Sequence, residues 1–77
     1  MYLRRLKDLR EDHDFSQEYV SNLLKISRPQ YSLYETGKRD MPVDLLRMLA
    51  KIYGTSIDYI VGDTDIQNKY PTISKKK

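Results

Sequence analysis

The 77-residue chain has no cysteine and a single histidine, His13. Disulfide staples, zinc–thiolate centres and cysteine nucleophiles are therefore excluded. One histidine is too few for a histidine-based metal site. No glycine-rich phosphate loop appears among its three glycines. No apolar run approaches the roughly 18 residues that span a bilayer, and no signal-peptide core follows Met1. The acidic residues around His13 (Asp8, Glu11, Asp12 and Asp14) read as the solvated end of a helix and not as a catalytic group. The expectation is a cytoplasmic protein with no enzyme activity, no metal, no cofactor and no membrane partner.

What remains is an ordinary small globular composition, 39% hydrophobic and 32% charged. Its length allows one domain with one modest core. The net charge of +3 permits a polyanionic partner without demanding one. The distribution says more. Residues 1–39 carry eight Lys/Arg against six Asp/Glu, residues 40–62 two against three, and residues 63–77 four against two. The cationic surplus sits in the first half and at the end.

Apolar spacing predicts five helices and no strand, because alternating patterns and hairpin signals are absent. Leu3, Leu6 and Leu9 mark a first helix from about Tyr2 to Glu11, ended by His13 and Asp14. Ser16 caps a second with Val20, Leu23 and Leu24 as its stripe. For the third, either Ser27 caps with Pro29 second, or Arg28 is itself the cap. Gly37 closes it in a left-handed conformation. Pro42 starts a fourth, with Leu46, Leu49, Ala50 and Tyr53 turned inward, and Ser56 caps a fifth that ends at Val61 before Gly62. The domain is expected over residues 1–62. Residues 63–77 lack apolar periodicity and end in three lysines, which predicts a flexible basic tail.

The segment from Phe15 to Arg39, FSQEYVSNLLKISRPQYSLYETGKR, is the most informative. It holds two short serine-capped helices a few residues apart, an arrangement that can hold the second helix in the major groove of DNA. At 100° per residue, Tyr31, Tyr34 and Ser27 fall on one side of the third helix, the buried one. Pro29, Ser32, Leu33 and Thr36 point the opposite way, flanked by Arg28 and Gln30. The expected base contacts are therefore Arg28, Pro29, Gln30, Ser32 and Leu33. Arg28 can reach guanine with two hydrogen bonds, and Leu33 can pack on a thymine methyl. Each has a plainer reading: Arg28 as a solvated helix start, Gln30 as the capping partner of Ser27, Leu33 as part of a protein-binding patch. Ser27, Thr36, Lys38 and Arg39 are the expected phosphate contacts. Lys38 and Arg39 follow the third helix directly.

Ser16-Gln17-Glu18, Ile26-Ser27-Arg28, Tyr34-Glu35-x-Gly37-Lys38-Arg39, Leu49-Ala50-Lys51 and Asp58-Tyr59-Ile60-Val61-Gly62 together closely resemble the Cro/C1-type helix-turn-helix family of phage-repressor-like proteins. The resemblance runs from about Leu3 to Gly62. It implies an all-α, five-helix, lambda-repressor-like domain in which helices 2 and 3 form the motif. It also implies that Gln17 touches backbone phosphate and that Arg10 and Glu35 form a partly buried, architectural ion pair. Three positions depart from the family pattern: Lys25 stands where glycine is usual, Ser21 where alanine is, and Tyr31 where an aliphatic residue is. The expected function is a sequence-specific, double-stranded-DNA-binding transcriptional regulator, a repressor, acting as a homodimer. The dimer contact is expected near Ile57 and Ile60, which could equally finish the monomer core. The alternative is an interaction module that presents Pro29 and Leu33 to a regulatory protein, as an antitoxin or an anti-repressor target does.

Overall fold

In the computed structural model, which describes residues 3–67, five helices follow one another: α1 (Arg4–Asp12), α2 (Gln17–Leu24), α3 (Arg28–Glu35), α4 (Val43–Tyr53) and α5 (Ile57–Val61). No strand occurs among the described residues. The all-α, five-helix expectation holds, with ends displaced by a residue or two. Leu3 caps α1, and Pro42 precedes α4 as its cap residue. No described helix is long and apolar enough to cross a membrane.

All five helices stop by one device. A left-handed residue ends each of them: Asp14 (φ 58°), Lys25 (φ 61°), Gly37 (φ 82°), Gly54 (φ 64°) and Gly62 (φ 90°). At each stop the left-handed N–H bonds back three residues and the next N–H bonds back five, as in Lys25 N to Asn22 O (3.1 Å) and Ile26 N to Ser21 O (3.0 Å). These bonds satisfy carbonyls that a helix end otherwise leaves unpaired. Three connectors then share one sequence logic: a left-handed residue, a residue packed inward, and a serine. They are Asp14-Phe15-Ser16, Lys25-Ile26-Ser27 and Gly54-Thr55-Ser56. Each serine hydroxyl accepts the N–H three residues on, from Tyr19, Gln30 or Tyr59. Ser27, not Arg28, is therefore the cap of α3, and Pro29 sits second in the helix.

The core gathers Leu3, Leu6 and Leu9, Val20 and Leu24 of α2, Tyr31 and Tyr34 of α3, Met41, then Leu46, Leu49, Ala50 and Tyr53 of α4, and Ile60 of α5. One expectation fails here, and one open alternative is decided. Leu23 is 38% exposed, because α2 buries Val20, Ser21 and Leu24 instead. Ser21 takes that inner place at little cost, since its hydroxyl donates to Glu18 O at 2.8 Å. Ile60 is 1% exposed, so it finishes the monomer core and is not available to a second copy. Ile57 is half-buried against the same core.

The beginning of the expected tail is tied down. Arg5 lies over the Tyr59 ring (4.2 Å to its centroid) and donates to Tyr59 O, Thr64 O and Asp65 Oδ1. The Thr55 hydroxyl donates to Gln67 O. Residues 63–67 are thus strapped across α1 and α5 and are not a free tail. The remainder, residues 68–77, lies outside the described residues, as do Met1 and Tyr2.

One polar network crosses this apolar interior. Arg10 Nε and Nη2 donate to Glu35 Oε1 (2.8 Å) and Oε2 (3.2 Å), and Arg10 Nη1 donates to Phe15 O (2.8 Å). Tyr31 Oη and Gln17 Nε2 complete the shell of Glu35 at 3.0 and 2.8 Å. Burial pushes the Glu35 carboxyl up, but the bonds from Arg10, Gln17 and Tyr31 outweigh it and hold the group below its ordinary value. Burial and the neighbouring Glu35 charge raise the Tyr31 phenol. The expected Arg10–Glu35 pair is therefore present, and the hydroxyl of Tyr31 has found its partner inside it. Tyr53 differs: its buried Oη has no hydrogen-bond partner among the described residues, and burial pushes its phenol up to about 12.

These details predict opposite signs for similar substitutions. Tyr31→Phe removes a made bond and lowers stability by about 1 kcal/mol, whereas Tyr53→Phe removes an orphaned hydroxyl and raises it by about 1 kcal/mol. Lys25→Gly relieves left-handed strain and stabilises by about 0.5–1 kcal/mol. Glu35→Gln strands Arg10 and costs about 3 kcal/mol, the lower end for breaking a buried pair, because the Arg10 side chain keeps 12% exposure. Urea titrations of the four variants check all four signs. Since the folded Glu35 pKa is depressed, its stabilisation is present above the unfolded value of about 4.3 and is lost as pH falls through the lower folded value. Between pH 5 and 3 the stability of the native chain should fall more steeply than that of Glu35→Gln.

Candidate nucleic-acid interface

Helices α2 and α3 are joined by three residues, 25–27, and pack directly on each other. Their mutual angle is fixed from both sides. The tight left-handed turn at Lys25 sets the connection, and the Arg10–Glu35–Gln17 bonds tie the end of α3 to α1 and to the start of α2. Tyr31 (0% exposed), Tyr34 and Glu35 (4% each) root α3 in the domain. This leaves its other side outward.

Arg28 and Pro29 on that side are exposed, and Gln30, Ser32 and Leu33 are half-buried. The helical projection placed Tyr31 and Tyr34 correctly. It misplaced Ser27, which is exposed: at ψ 154° it is not helical, so a 100° step does not apply to it. Leu33 is not packed against the core cluster, so its side chain belongs to the outward face.

The polar groups differ in what they have left to offer. Arg28, Lys38 and Arg39 are exposed and form no ion pair among the described residues. The Ser27 oxygen accepts the Gln30 N–H, and its hydroxyl proton stays available. Thr36 donates its hydroxyl proton to Ser32 O at 2.8 Å, so it has none to give a phosphate while that bond stands. Gln17 donates one amide N–H to Glu35 and keeps a second. It begins α2, where unpaired N–H groups favour an anion. Gln30 is not the reciprocal capping partner of Ser27; its side chain reaches along the helix and donates to Tyr34 Oη at 3.1 Å.

The backbone at Lys38 and Arg39 is tied to α3. Both backbone N–H groups bond to Leu33 O, at 3.0 and 3.1 Å. The one carboxylate of α3, Glu35, is turned inward against Arg10 and so does not oppose a polyanion at the outer face. The result is a polar edge flanked by fixed cations. Such a surface can grip phosphates and read base edges.

Sequence reasoning missed three participants. The Gln30–Tyr34 bond was within reach, since residues four apart share a helix face. The Phe15 carbonyl that receives Arg10 has no sequence signature, because any residue could supply it. The Arg5 clasp joins positions 54 to 60 apart, and nothing local announces it.

Comparison with known proteins agrees with this geometry. A family model described as helix-turn-helix matches residues 6–60. The uncharacterized HTH-type transcriptional regulator YobD of Bacillus subtilis (strain 168) is 38% identical over 65 residues, 84% of this chain and 58% of the relative. The cryptic phage CTXphi transcriptional repressor RstR of Vibrio cholerae is 32% identical over 65 residues, covering 84% and 59%. The HTH-type transcriptional regulator ImmR of Bacillus subtilis (strain 168) is 32% identical over 69 residues, covering 90% and 54%. The chain thus spans a little over half the length of these relatives. No solved structure matches. A motif rooted by Tyr31 and Glu35, and a family match running from α1 into α5, identify this chain as a member of the Cro/C1-type helix-turn-helix family.

Proposed function

We propose that this protein is a sequence-specific DNA-binding transcriptional regulator, a repressor, that places the N-terminal half of α3 in the major groove. One observation carries the reading. The side of α3 away from the core presents Arg28, with Lys38 and Arg39 at its far end on backbone tied to the helix and none of the three ion-paired among the described residues, while the helix's carboxylate is neutralised inside. Relatives named as regulators and a phage repressor support it over a purely protein-binding role. The compartment is then the cytoplasm, where bacterial DNA lies.

The roles divide by chemistry. Lys38 and Arg39, with Gln17 and Ser27, contact phosphates and set the register. Arg28 contacts guanine, Ser32 supplies a hydrogen bond and Leu33 packs on a thymine methyl. A single such module makes a small interface, so two copies reading half-sites about 34–36 Å apart are the expected assembly. With Ile60 interior, Ile57 is the remaining candidate from α5 for that contact.

Selection of bound fragments from random duplex DNA tests the reading. A recovered palindrome is expected; failure to enrich any sequence would overturn it. Lys38→Ala with Arg39→Ala should weaken binding to all sequences and reduce the salt slope by about 2, roughly one per phosphate contact. Arg28→Ala should leave that slope nearly unchanged and relax one G·C position by about 1–3 kcal/mol. Titrations across a salt series with matched and single-base-variant duplexes separate the two effects.

A further inference from the structure

Gln30 and Tyr34 stand one turn apart on α3, joined by the Gln30 Nε2 to Tyr34 Oη bond. Tyr34 is 4% exposed with its ring in the core, so its hydroxyl is the fixed member and the half-exposed glutamine is the guided one. The bond matters because it ties the end of a flexible side chain to a fixed point on the helix. The phenol hydroxyl can accept from the amide nitrogen or donate to its oxygen, and either way the contact sets where the amide lies. Here the nitrogen donates. Oε1 and the second N–H have no partner among the described residues.

A side chain offering one acceptor and one donor in a plane matches one base edge in the major groove. Adenine presents the N6 donor beside the N7 acceptor, whereas guanine presents two acceptors. The neighbours sharpen the assignment. Pro29 has no N–H and Leu33 has no polar side-chain atom, so hydrogen bonding along this edge falls to Arg28, Gln30 and Ser32.

We propose that the Tyr34 hydroxyl is a positioning group for base recognition, holding the Gln30 amide where its remaining acceptor and donor can meet an adenine edge. The inference rests on α3 entering the major groove as proposed above. Tyr34 itself touches no base; it acts through Gln30. Immobilising the amide before binding also removes part of the ordering cost that a free glutamine would bear.

The test uses the full chain, the site recovered by selection, and duplexes varied at single positions. The wild type should prefer adenine at one position by roughly 5- to 150-fold. Gln30→Ala should erase that preference alone. Tyr34→Phe keeps the ring and should lower the same preference by about 2- to 10-fold, leaving other positions and the salt slope unchanged. Gln30→Glu, an acceptor only, should move the preference to cytosine. Thermal unfolding confirms that each variant is folded. If Tyr34→Phe does not fold, the side-chain amide dynamics of Gln30 in the free wild type decide: a rigid amide supports the proposal and a mobile one overturns it. Full adenine preference in folded Tyr34→Phe, or in Gln30→Ala, would also overturn it. Altered specificity elsewhere with Arg28→Ala would show that the groove reading survives such a result. A wild type that enriches no sequence would remove both.

Discussion

The Arg10–Glu35 pair is the contact on which the geometry of the molecule turns. A five-helix domain of this size has little apolar area with which to fix the angle of an eight-residue helix. The pair supplies directionality that hydrophobic packing lacks. Two donors from one planar guanidinium meet both oxygens of one carboxylate, and Tyr31 and Gln17 occupy the remaining lone pairs. A buried ion pair is a poor source of net stability, because two charges must leave water. Its value here is positional, and every member comes from a different place: α1, the start of α2, and two turns of α3.

That arrangement also settles the electrostatics of the outer face. Had Glu35 pointed outward, α3 would offer an approaching phosphate backbone a carboxylate. Turned inward, it becomes the anchor of Arg10, and the cations Arg28, Lys38 and Arg39 face no carboxylate from α3. One side chain thus serves the packing of the domain and the sign of its surface.

Much of this was legible from sequence, and the failures have physical reasons. Serine caps, glycine stops and the inward stripe of α4 are local features, and local chemistry decides them. Tyr31 and Tyr34 follow from helical periodicity. Ser27 does not, because a cap residue has left the helix whose period was being applied. In α2, packed on both α3 and α4, the inward position went to the small Ser21 and not to Leu23, since close approach mattered more than hydrophobicity. Lys25 stands in a left-handed turn that its identity does not suggest, and only its place in the family pattern pointed to it. Of the candidate interface, the outward edge of α3 was readable but the hydrogen-bond ledger was not. Whether Thr36, Gln17 or Gln30 still has a proton to offer depends on partners that only three dimensions reveal.

The carbonyl of Leu33 receives the N–H groups of both Lys38 and Arg39, so the backbone that carries these cations is one piece with α3. The charged side chains can still swing, but on the proposed reading their points of attachment cannot shift to suit a reluctant duplex. Part of the adjustment would then pass to the DNA, whose groove width and bending stiffness vary with base sequence. Base pairs that no side chain reaches would then enter the choice of operator, through the ease with which they let their phosphates come to meet Lys38 and Arg39.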